Sequence, residues 1–140
     1  MDIADLEQLV KQQPVAIFTT FRKDGRPQMS LVTVGSFEGG LAFTTQANRA
    51  KAANLRRDPR CALMLVKPGY RGYAVLDGDA EVRSRSNTDP KQLRMDLRRV
   101  YQSASGKEHP DWEEYDRVMV EQRRLVVLLR PGRLYGANVP

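Results

Sequence analysis

A segment that reads as strand, short basic helix and strand, Leu41–Val66, is the strongest constraint on the fold of this chain. Apolar, aromatic and β-branched residues fill its two ends, Leu41–Thr45 and Cys61–Val66, whereas its middle combines alanines with arginines and a lysine. The residue before Pro59 is disfavoured in the helical conformation, which predicts a helix from Arg49 to about Arg57. One short helix must therefore connect two strands.

The charges of this helix are arranged as in an anion site. Asn48 is a candidate N-cap, and Arg49 and Lys51 fall in the predicted first turn. Acids in a first turn would complement the helix dipole, yet no acid precedes Asp58 in this segment. A solvated, arginine-rich surface helix is the alternative, and the commoner one for charged helices in general. The charge positions favour a bound anion such as phosphate.

The other elements are mostly short strands joined by turns. Asp24-Gly25 is a hairpin signal between the predicted strands Val15–Arg22 and Pro27–Ser36. Further predicted elements are an N-terminal helix ended by Pro14, strands at Arg60–Lys67, Tyr73 to about Arg85 with a bulge at Asp77–Asp79, Leu125–Leu129 and Leu134–Tyr135, and helices opened by Asp89-Pro90 and by Asp111. This pattern predicts a mainly β, α+β fold, either a small antiparallel barrel or a sandwich with added helices.

Composition predicts one domain over residues 1–140 and a cytoplasmic location. The longest apolar stretches have strand length, well short of the roughly 18 residues that span a bilayer, so no membrane is expected as a partner. The amino terminus is acidic and lacks the basic start of a secretory signal. The single cysteine, Cys61, begins an apolar strand, which favours buried packing over a nucleophilic role.

The net charge of +6 raises nucleic acid as a partner. The 23 basic residues are mixed with 17 acids, and no tract interleaves basic and aromatic residues as single-strand binders do. An anionic small molecule explains the local basic cluster equally well. We therefore expect no nucleic-acid partner.

Side-chain catalysis finds little support. His109 is the only histidine and lies in a predicted loop, so zinc sites and Ser-His-Asp triads lose support and no metal is expected. Neither common nucleotide-binding loop is present. If the chain is an enzyme, a cofactor carries its reaction, and the catalytic side chains stay unknown.

The chain resembles the pyridoxamine 5'-phosphate oxidase-like flavin and deazaflavin oxidoreductases, most closely their small branch of coenzyme F-420-dependent proteins. The resemblance covers nearly the whole chain and rests on the segments Asp24–Ser30, Arg49–Arg60, Tyr73–Val75, Gly106–Trp112 and Met119–Arg124 leading to Leu134–Gly136. It implies an antiparallel split β-barrel of six to seven strands with flanking helices. It also implies a homodimer with two cofactor sites at the subunit interface.

The resemblance also assigns candidate residues. It makes Arg49 and Lys51 the phosphate ligands, with Asn54 as a polar support one turn further, while Thr44 and Thr45 could add hydroxyl and backbone donors. Gln28 and Ser30 are candidates for the edge of the cofactor ring, although ordinary alternation of polar residues on a strand explains them equally well. Tyr73 and the loop residue Arg71 are expected from the partner subunit, with Tyr70 as a substitute for Arg71.

The implied activity is that of an oxidoreductase, which transfers hydride between the cofactor and a conjugated organic substrate. The branch favours coenzyme F-420 (8-hydroxy-5-deazaflavin), and FMN is the alternative because both carry a ribityl-phosphate-like arm. True pyridoxamine phosphate oxidation is disfavoured, since Arg133-Leu-Tyr135 stands where an Arg-x-His motif is expected. A non-catalytic carrier or sensor of the same cofactor remains the alternative function.

Overall fold

The structure is a computed structural model that describes residues 1–139. Within these residues no helix is both long and apolar enough to cross a membrane. The elements, in chain order, are α1 (Ile3–Gln12), β1 (Val15–Phe21), β2 (Pro27–Thr33), β3 (Gly35–Phe37), β4 (Gly40–Gln46), α2 (Ala50–Arg57), β5 (Arg60–Val66), β6 (Tyr73–Arg83), α3 (Pro90–Ser105), α4 (Trp112–Glu121), β7 (Arg124–Leu129) and β8 (Arg133–Ala137).

All paired strands are antiparallel and form one curled sheet. The order is β2-β1-β5-β6-β7-β4-β3, and β8 pairs with β6 outside this path. The long strand β6 makes the curl possible, because its first part pairs with β5 and β8 and its last part, from Ala80 to Arg83, pairs with β7. This architecture confirms the predicted antiparallel split β-barrel with flanking helices.

The barrel interior is filled by the inward faces of its strands. β1 and β5 alternate buried and partly exposed residues, as strands with one face on a core do. Phe18 of β1 and Phe43 of β4 are almost fully buried, and their rings meet edge to face with centroids 4.7 Å apart. Leu6 and Leu9 of α1 join this core, so the amphipathic N-terminal helix closes one side of the barrel.

A second apolar cluster holds α3 and α4 against the outside of β4 and β7. Leu93, Leu97 and Val100 of α3 pack there with Tyr115, the one buried residue of α4. The Tyr115 hydroxyl donates a hydrogen bond to the Leu97 carbonyl at 2.9 Å, which ties the two helices together. Trp112 and Met119 pack against the same cluster from the partly exposed side of α4.

The structure corrects two predictions about strands. The predicted strand Pro27–Ser36 divides at Val34, since β2 pairs with β1 whereas β3 pairs with β4. A Cβ on Gly35 would lie 2.5 Å from the Ala104 nitrogen, so the close passage of α3 requires glycine at this break. The bulge expected at Asp77–Asp79 is also wrong, because the β5–β6 register runs through these residues without interruption.

A third correction concerns the cap of α2. The N-cap is Arg49, not Asn48, and it makes no side-chain capping hydrogen bond. The helix begins at Ala50, so Lys51 lies in its first turn while Arg49 stands just before it. As predicted, the first turn of α2 contains no acidic residue.

Candidate functional site

Three basic residues meet where β4 ends, α2 begins and β7 starts. Arg49 and Lys51 come from the start of α2, and Arg124 is the first residue of β7. The β4–β7 register places Arg124 opposite Gln46, which brings it to the same end of the sheet as α2. Residues far apart in the chain therefore form one cluster, which we call the cation cluster.

The cation cluster borders a cavity of about 520 Å³, called here the cation cavity. Thr44, Thr45, Lys51 and Arg124 line it on the sheet side, while Tyr101 and other residues of α3 and α4 form the opposite wall. Arg49 is exposed beside Lys51. The volume lies within the range of about 300–1,000 Å³ that is usual for small-molecule sites.

Arg124 is the residue that sequence reasoning missed. Its Nη1 donates to the Thr44 hydroxyl at 3.3 Å and to the Thr44 carbonyl at 3.4 Å, and its Nε donates to Gln122 Oε1 at 2.9 Å. These contacts leave a half-buried guanidinium beside Lys51. The only signal in the sequence was its place at the end of the Met119–Arg124 segment, since its position opposite β4 depends on long-range pairing.

The cation cluster lacks an acidic counterpart. Within residues 1–139, none of the ion pairs includes Arg49, Lys51 or Arg124. Partial burial lowers the pKa of Lys51 below its ordinary 10.5, and the neighbouring charges of Arg49 and Arg124 lower it further. An anion in the cavity would relieve both effects, so the arrangement suits an oxyanion such as phosphate.

Asn54 and Gln28 occupy a neighbouring hydrogen-bond network outside the cation cavity. Asn54 is buried, and its Nδ2 donates to Thr20 Oγ1 at 3.0 Å and to Gln28 Oε1 at 2.9 Å. Its Oδ1 accepts from Arg57 at 3.0 Å. The network fixes α2 to β1 and β2, so Asn54 supports the position of the helix that carries Lys51.

β2 reaches the cation cavity through its last residues. Leu31, Val32 and Thr33 line the cavity, whereas Gln28 and Ser30 precede them on the half-buried side of the strand. The Gln28 side chain is engaged by Asn54. The prediction that Gln28 and Ser30 lie at a ring edge therefore stays a prediction.

Arg71 and Tyr73 lie elsewhere in the chain. They line a separate cavity of about 300 Å³ at the β5–β6 loop, together with Tyr70 and Asn138. Asn138 donates to the Arg71 carbonyl at 2.8 Å, which ties the loop to the carboxyl-terminal strand. One chain thus brings Thr44, Thr45 and Lys51 together but separates them from Arg71 and Tyr73.

Other reactive side chains are held in structural roles. Burial raises the pKa of the Cys61 thiol to about 12, so this cysteine is a poor nucleophile. His109 is partly buried against Tyr101, Trp112 and Tyr115, and its Nδ1 accepts a hydrogen bond from the Asp111 backbone nitrogen at 3.0 Å. The histidine of the predicted loop is therefore part of an aromatic cluster that packs α4.

Solved structures of other proteins share this architecture. A conserved hypothetical protein from Mycobacterium tuberculosis has a TM-score of 0.79 at 22% identity, over 97% of this chain and 84% of that one. An F420 reductase has a TM-score of 0.62 at 22% identity, over 92% and 94%. A heme-binding protein from Mycobacterium smegmatis has a TM-score of 0.67 at 20% identity, over 96% and 53%. The pyridoxamine 5'-phosphate oxidase family model matches residues 4–136, and the chain belongs to this family.

Proposed function

We propose that this protein is an oxidoreductase that binds a flavin-type cofactor in the cation cavity, with coenzyme F-420 as the first choice and FMN as the second. Proteins of this fold family bind flavins, and one structural neighbour is an F420 reductase. The observation that carries the proposal is the cation cluster, in which Arg49, Lys51 and Arg124 have no acidic partner within residues 1–139.

The residues of the cavity fit the phosphate arm of such a cofactor. Lys51 supplies a point charge, while Arg49 and Arg124 supply planar forks that match phosphate oxygens. The Thr44 and Thr45 hydroxyls line the same cavity as further donors. Asn54 holds α2 in place through Thr20 and Gln28.

The remaining walls suit the reaction that the proposal requires. When bound, the cofactor supplies hydride transfer with a conjugated organic substrate. The chain contributes binding and orientation, and Leu31, Val100 and Met119 supply apolar surface for the cofactor and the substrate. The polar atoms of Thr44 are held by Arg124, which fixes the sheet side of the cavity. No side chain is assigned as the proton donor to the product.

The active form in this proposal is a homodimer. The outer sheet face carries a row of side chains in cross-strand register, which runs from Leu31 through Ile17, Met64 and Val75 to Tyr135. Leu31 is 72% exposed and Tyr135 is 41% exposed. An apolar row across five strands is typical of an interaction surface. Leu31 also lines the cation cavity, so a second copy on this face would reach the cofactor site.

A dimer on this face would also account for Arg71 and Tyr73. Tyr73 is on the same strand, β6, as Val75 of the apolar row, and Arg71 lies in the loop before it. We expect the partner's copies of these residues to approach the cofactor. The variant Leu31→Glu should yield monomers in sedimentation analysis and weaken cofactor binding. A wild-type chain that sediments as a monomer would contradict the dimer.

Fluorescence titration with F-420 and FMN tests the cofactor assignment. Each charge-assisted hydrogen bond to phosphate contributes about 1.5–3 kcal/mol, so Lys51→Ala should lower affinity by at least about tenfold. The matched control is Lys23→Ala, which removes an exposed lysine in the β1–β2 turn. Equal affinities of Lys51→Ala and wild type would overturn the phosphate assignment.

Turnover distinguishes the enzyme from a carrier or sensor. Steady-state assays with reduced cofactor should show reduction of at least one conjugated acceptor among unsaturated ketones, quinones and tetrapyrroles. Lys51→Ala should slow this reaction at subsaturating cofactor, because its defect is in binding. Tight cofactor binding without turnover of any acceptor would favour the carrier.

A further inference from the structure

A second and larger cavity lies in a groove between α3 and α4. Its volume is about 810 Å³, and we call it the helix groove. Met119 and Val120 provide its accessible apolar surface, over the buried side chains of Leu93 and Leu97. Val120 of α4 forms part of one wall of the groove and is 69% exposed. Neither the phosphate arm nor the dimer face accounts for this surface, although Met119 and Arg124 border both cavities.

The rim of the helix groove is strongly basic. Arg85, Lys91, Arg94 and Arg123 all line it, and none of them is in an ion pair within the part of the chain that the structure describes. The groove's two acids do not neutralise these cations: Asp116 pairs with Arg98, and Glu121 pairs with Arg117 at 3.0 Å. The groove therefore combines an apolar surface with uncompensated positive charge.

The helix pairing places much of this charge at one end of the groove. α3 and α4 run antiparallel, because Leu97 of α3 accepts from Tyr115, whereas Tyr101, one turn later in α3, packs against Trp112 at the start of α4. The start of α3, with Lys91, therefore lies beside the end of α4, which Arg123 follows. An elongated ligand would meet cations at this end and apolar side chains along its length.

The backbone at Arg123 positions this residue at the end of α4. Its φ of 50° lies in the left-handed region, where glycine or asparagine is normally preferred. The conformation ends α4, since the Arg123 nitrogen donates to the Val120 carbonyl and its own carbonyl accepts from Ala47. The termination fixes Arg123 on the rim of the helix groove.

We propose that the helix groove binds a single-chain amphiphile with an oxyanion head group, of which a fatty acid is the simplest example. The hydrocarbon chain would lie on Met119 and Val120, where it removes apolar surface from water. The head group would face Lys91, Arg94 and Arg123. This site needs no flavin, so it stands independently of the proposed function.

Isothermal titration with dodecanoate, below its micelle concentration, tests the proposal on the cofactor-free protein. Dodecanoate should bind wild type, whereas dodecanol, which lacks the charge, and acetate, which lacks the chain, should each bind at least about tenfold more weakly. Dodecyl phosphate binding as tightly as dodecanoate would support recognition of the shared oxyanion chemistry. Binding of dodecanoate alone would support a carboxylate-specific site.

Two charge reversals on the same helix locate the ligand. Arg94→Glu places a carboxylate on the groove rim, while Arg99→Glu makes the same change at an exposed position of α3 outside the groove. We expect Arg94→Glu to weaken dodecanoate binding by at least about tenfold and Arg99→Glu to leave it unchanged. Circular dichroism of both variants confirms their fold.

Three outcomes would overturn the proposal. The first is that folded wild type does not bind dodecanoate. The second is that Arg94→Glu and Arg99→Glu weaken binding equally, which would indicate nonspecific attraction by the net charge. The third is that dodecanoate competes with FMN and is lost in Lys51→Ala but retained in Arg94→Glu, which would place it in the cation cavity instead.

Discussion

Two clusters of basic side chains in this molecule differ in charge balance: acidic residues neutralise one of them, and no acidic residue among those described pairs with the other. The first, which we call the Arg83 network, joins Arg83 to Glu38, Glu81 and Asp96, and Arg130 pairs with the same two glutamates. It connects the β3–β4 turn, β6, α3 and the end of β7. The second is the cation cluster, in which no basic residue has an acid beside it within the described chain.

The pKa values show what this difference means. Hydrogen bonding to Glu38 raises the pKa of Arg83, with further support from Glu81 and Asp96, so its charged form is stabilised by the fold. Burial and two like charges lower the pKa of Lys51, so its charged form is disfavoured. The Arg83 network is complete in the folded chain and stabilises it. The cation cluster has no such partner among the residues that the structure describes, and in the proposed function the phosphate of the cofactor neutralises it.

The largest expected effect comes from breaking the complete cluster. Arg83→Ala leaves Asp96, which is fully buried, with Gln92 as its remaining side-chain donor at 2.8 Å. Removing one partner of a buried pair is strongly destabilising, and we expect a loss of about 3 kcal/mol in the free energy of unfolding. Urea denaturation measures this loss.

The control is Arg99→Ala, which removes an exposed arginine of α3 that has no ion pair within residues 1–139. Its effect should be within about 0.5 kcal/mol. Arg83→Met combined with Asp96→Leu should recover part of the stability, because no unpaired buried charge remains. Equal losses in Arg83→Ala and Arg99→Ala would remove the distinction between the clusters.

A smaller effect is expected from completing the incomplete cluster. Inorganic phosphate, at ten times its dissociation constant, should raise the unfolding free energy of wild type by about 1.4 kcal/mol. The increase should vanish in Lys51→Ala and persist in Lys23→Ala, while sulfate should act as phosphate does. Differential scanning calorimetry at constant ionic strength provides the measurement. An identical gain in Lys51→Ala would show that phosphate acts away from the cation cluster.

The β1–β2 turn and the N-terminal cap of α3 could be predicted from the sequence because their signals are local. Gly25 has a φ of 83°, and Asp24 accepts from the Arg26 nitrogen at 3.0 Å, as the hairpin signal predicts. Asp89 likewise caps α3 ahead of Pro90. Such turn and cap signals lie within a few residues of the structure they specify, so the order and type of the elements were predictable.

The charge partners were not predictable, because strand register and helix placement decide them. Arg124 contacts Thr44 only because β7 pairs with β4. Glu38, in the β3–β4 turn, pairs with Arg83 at the end of β6, 45 residues later in the chain. Sequence alone made Arg49 and Lys51 candidates because a helix start without acids is a local signal, and their role as phosphate ligands stays a prediction. It missed Arg124 because its neighbours are distant in the chain. Gln28 has two equal interpretations in the sequence, and its contact with Asn54 adds a structural use without deciding between them.

The smallest expected effect is on the pH dependence of the unfolding free energy, to which only the Arg83 network should contribute at low pH. Hydrogen bonding to Arg83 lowers the pKa of Glu38 below its ordinary 4.5, and hydrogen bonding to Arg130 does the same for Glu81. Carboxylates with lowered pKa values stabilise the fold fully above about pH 4.5, and this stabilisation is lost as pH falls through the folded values.

Glu81→Gln should therefore reduce the unfolding free energy at pH 7 and flatten its decline below pH 4.5. Both glutamates are substantially exposed, so the effect should stay below about 1 kcal/mol. Lys51→Ala should leave the loss of unfolding free energy at low pH unchanged. The pKa of Lys51 is lowered from 10.5, so its titration affects stability only at alkaline pH. Urea denaturation from pH 3 to pH 7 checks all three proteins. A decline that is equally steep in Glu81→Gln and wild type would mean that these ion pairs add no stability, and the two clusters would then differ in composition but not in energetic role.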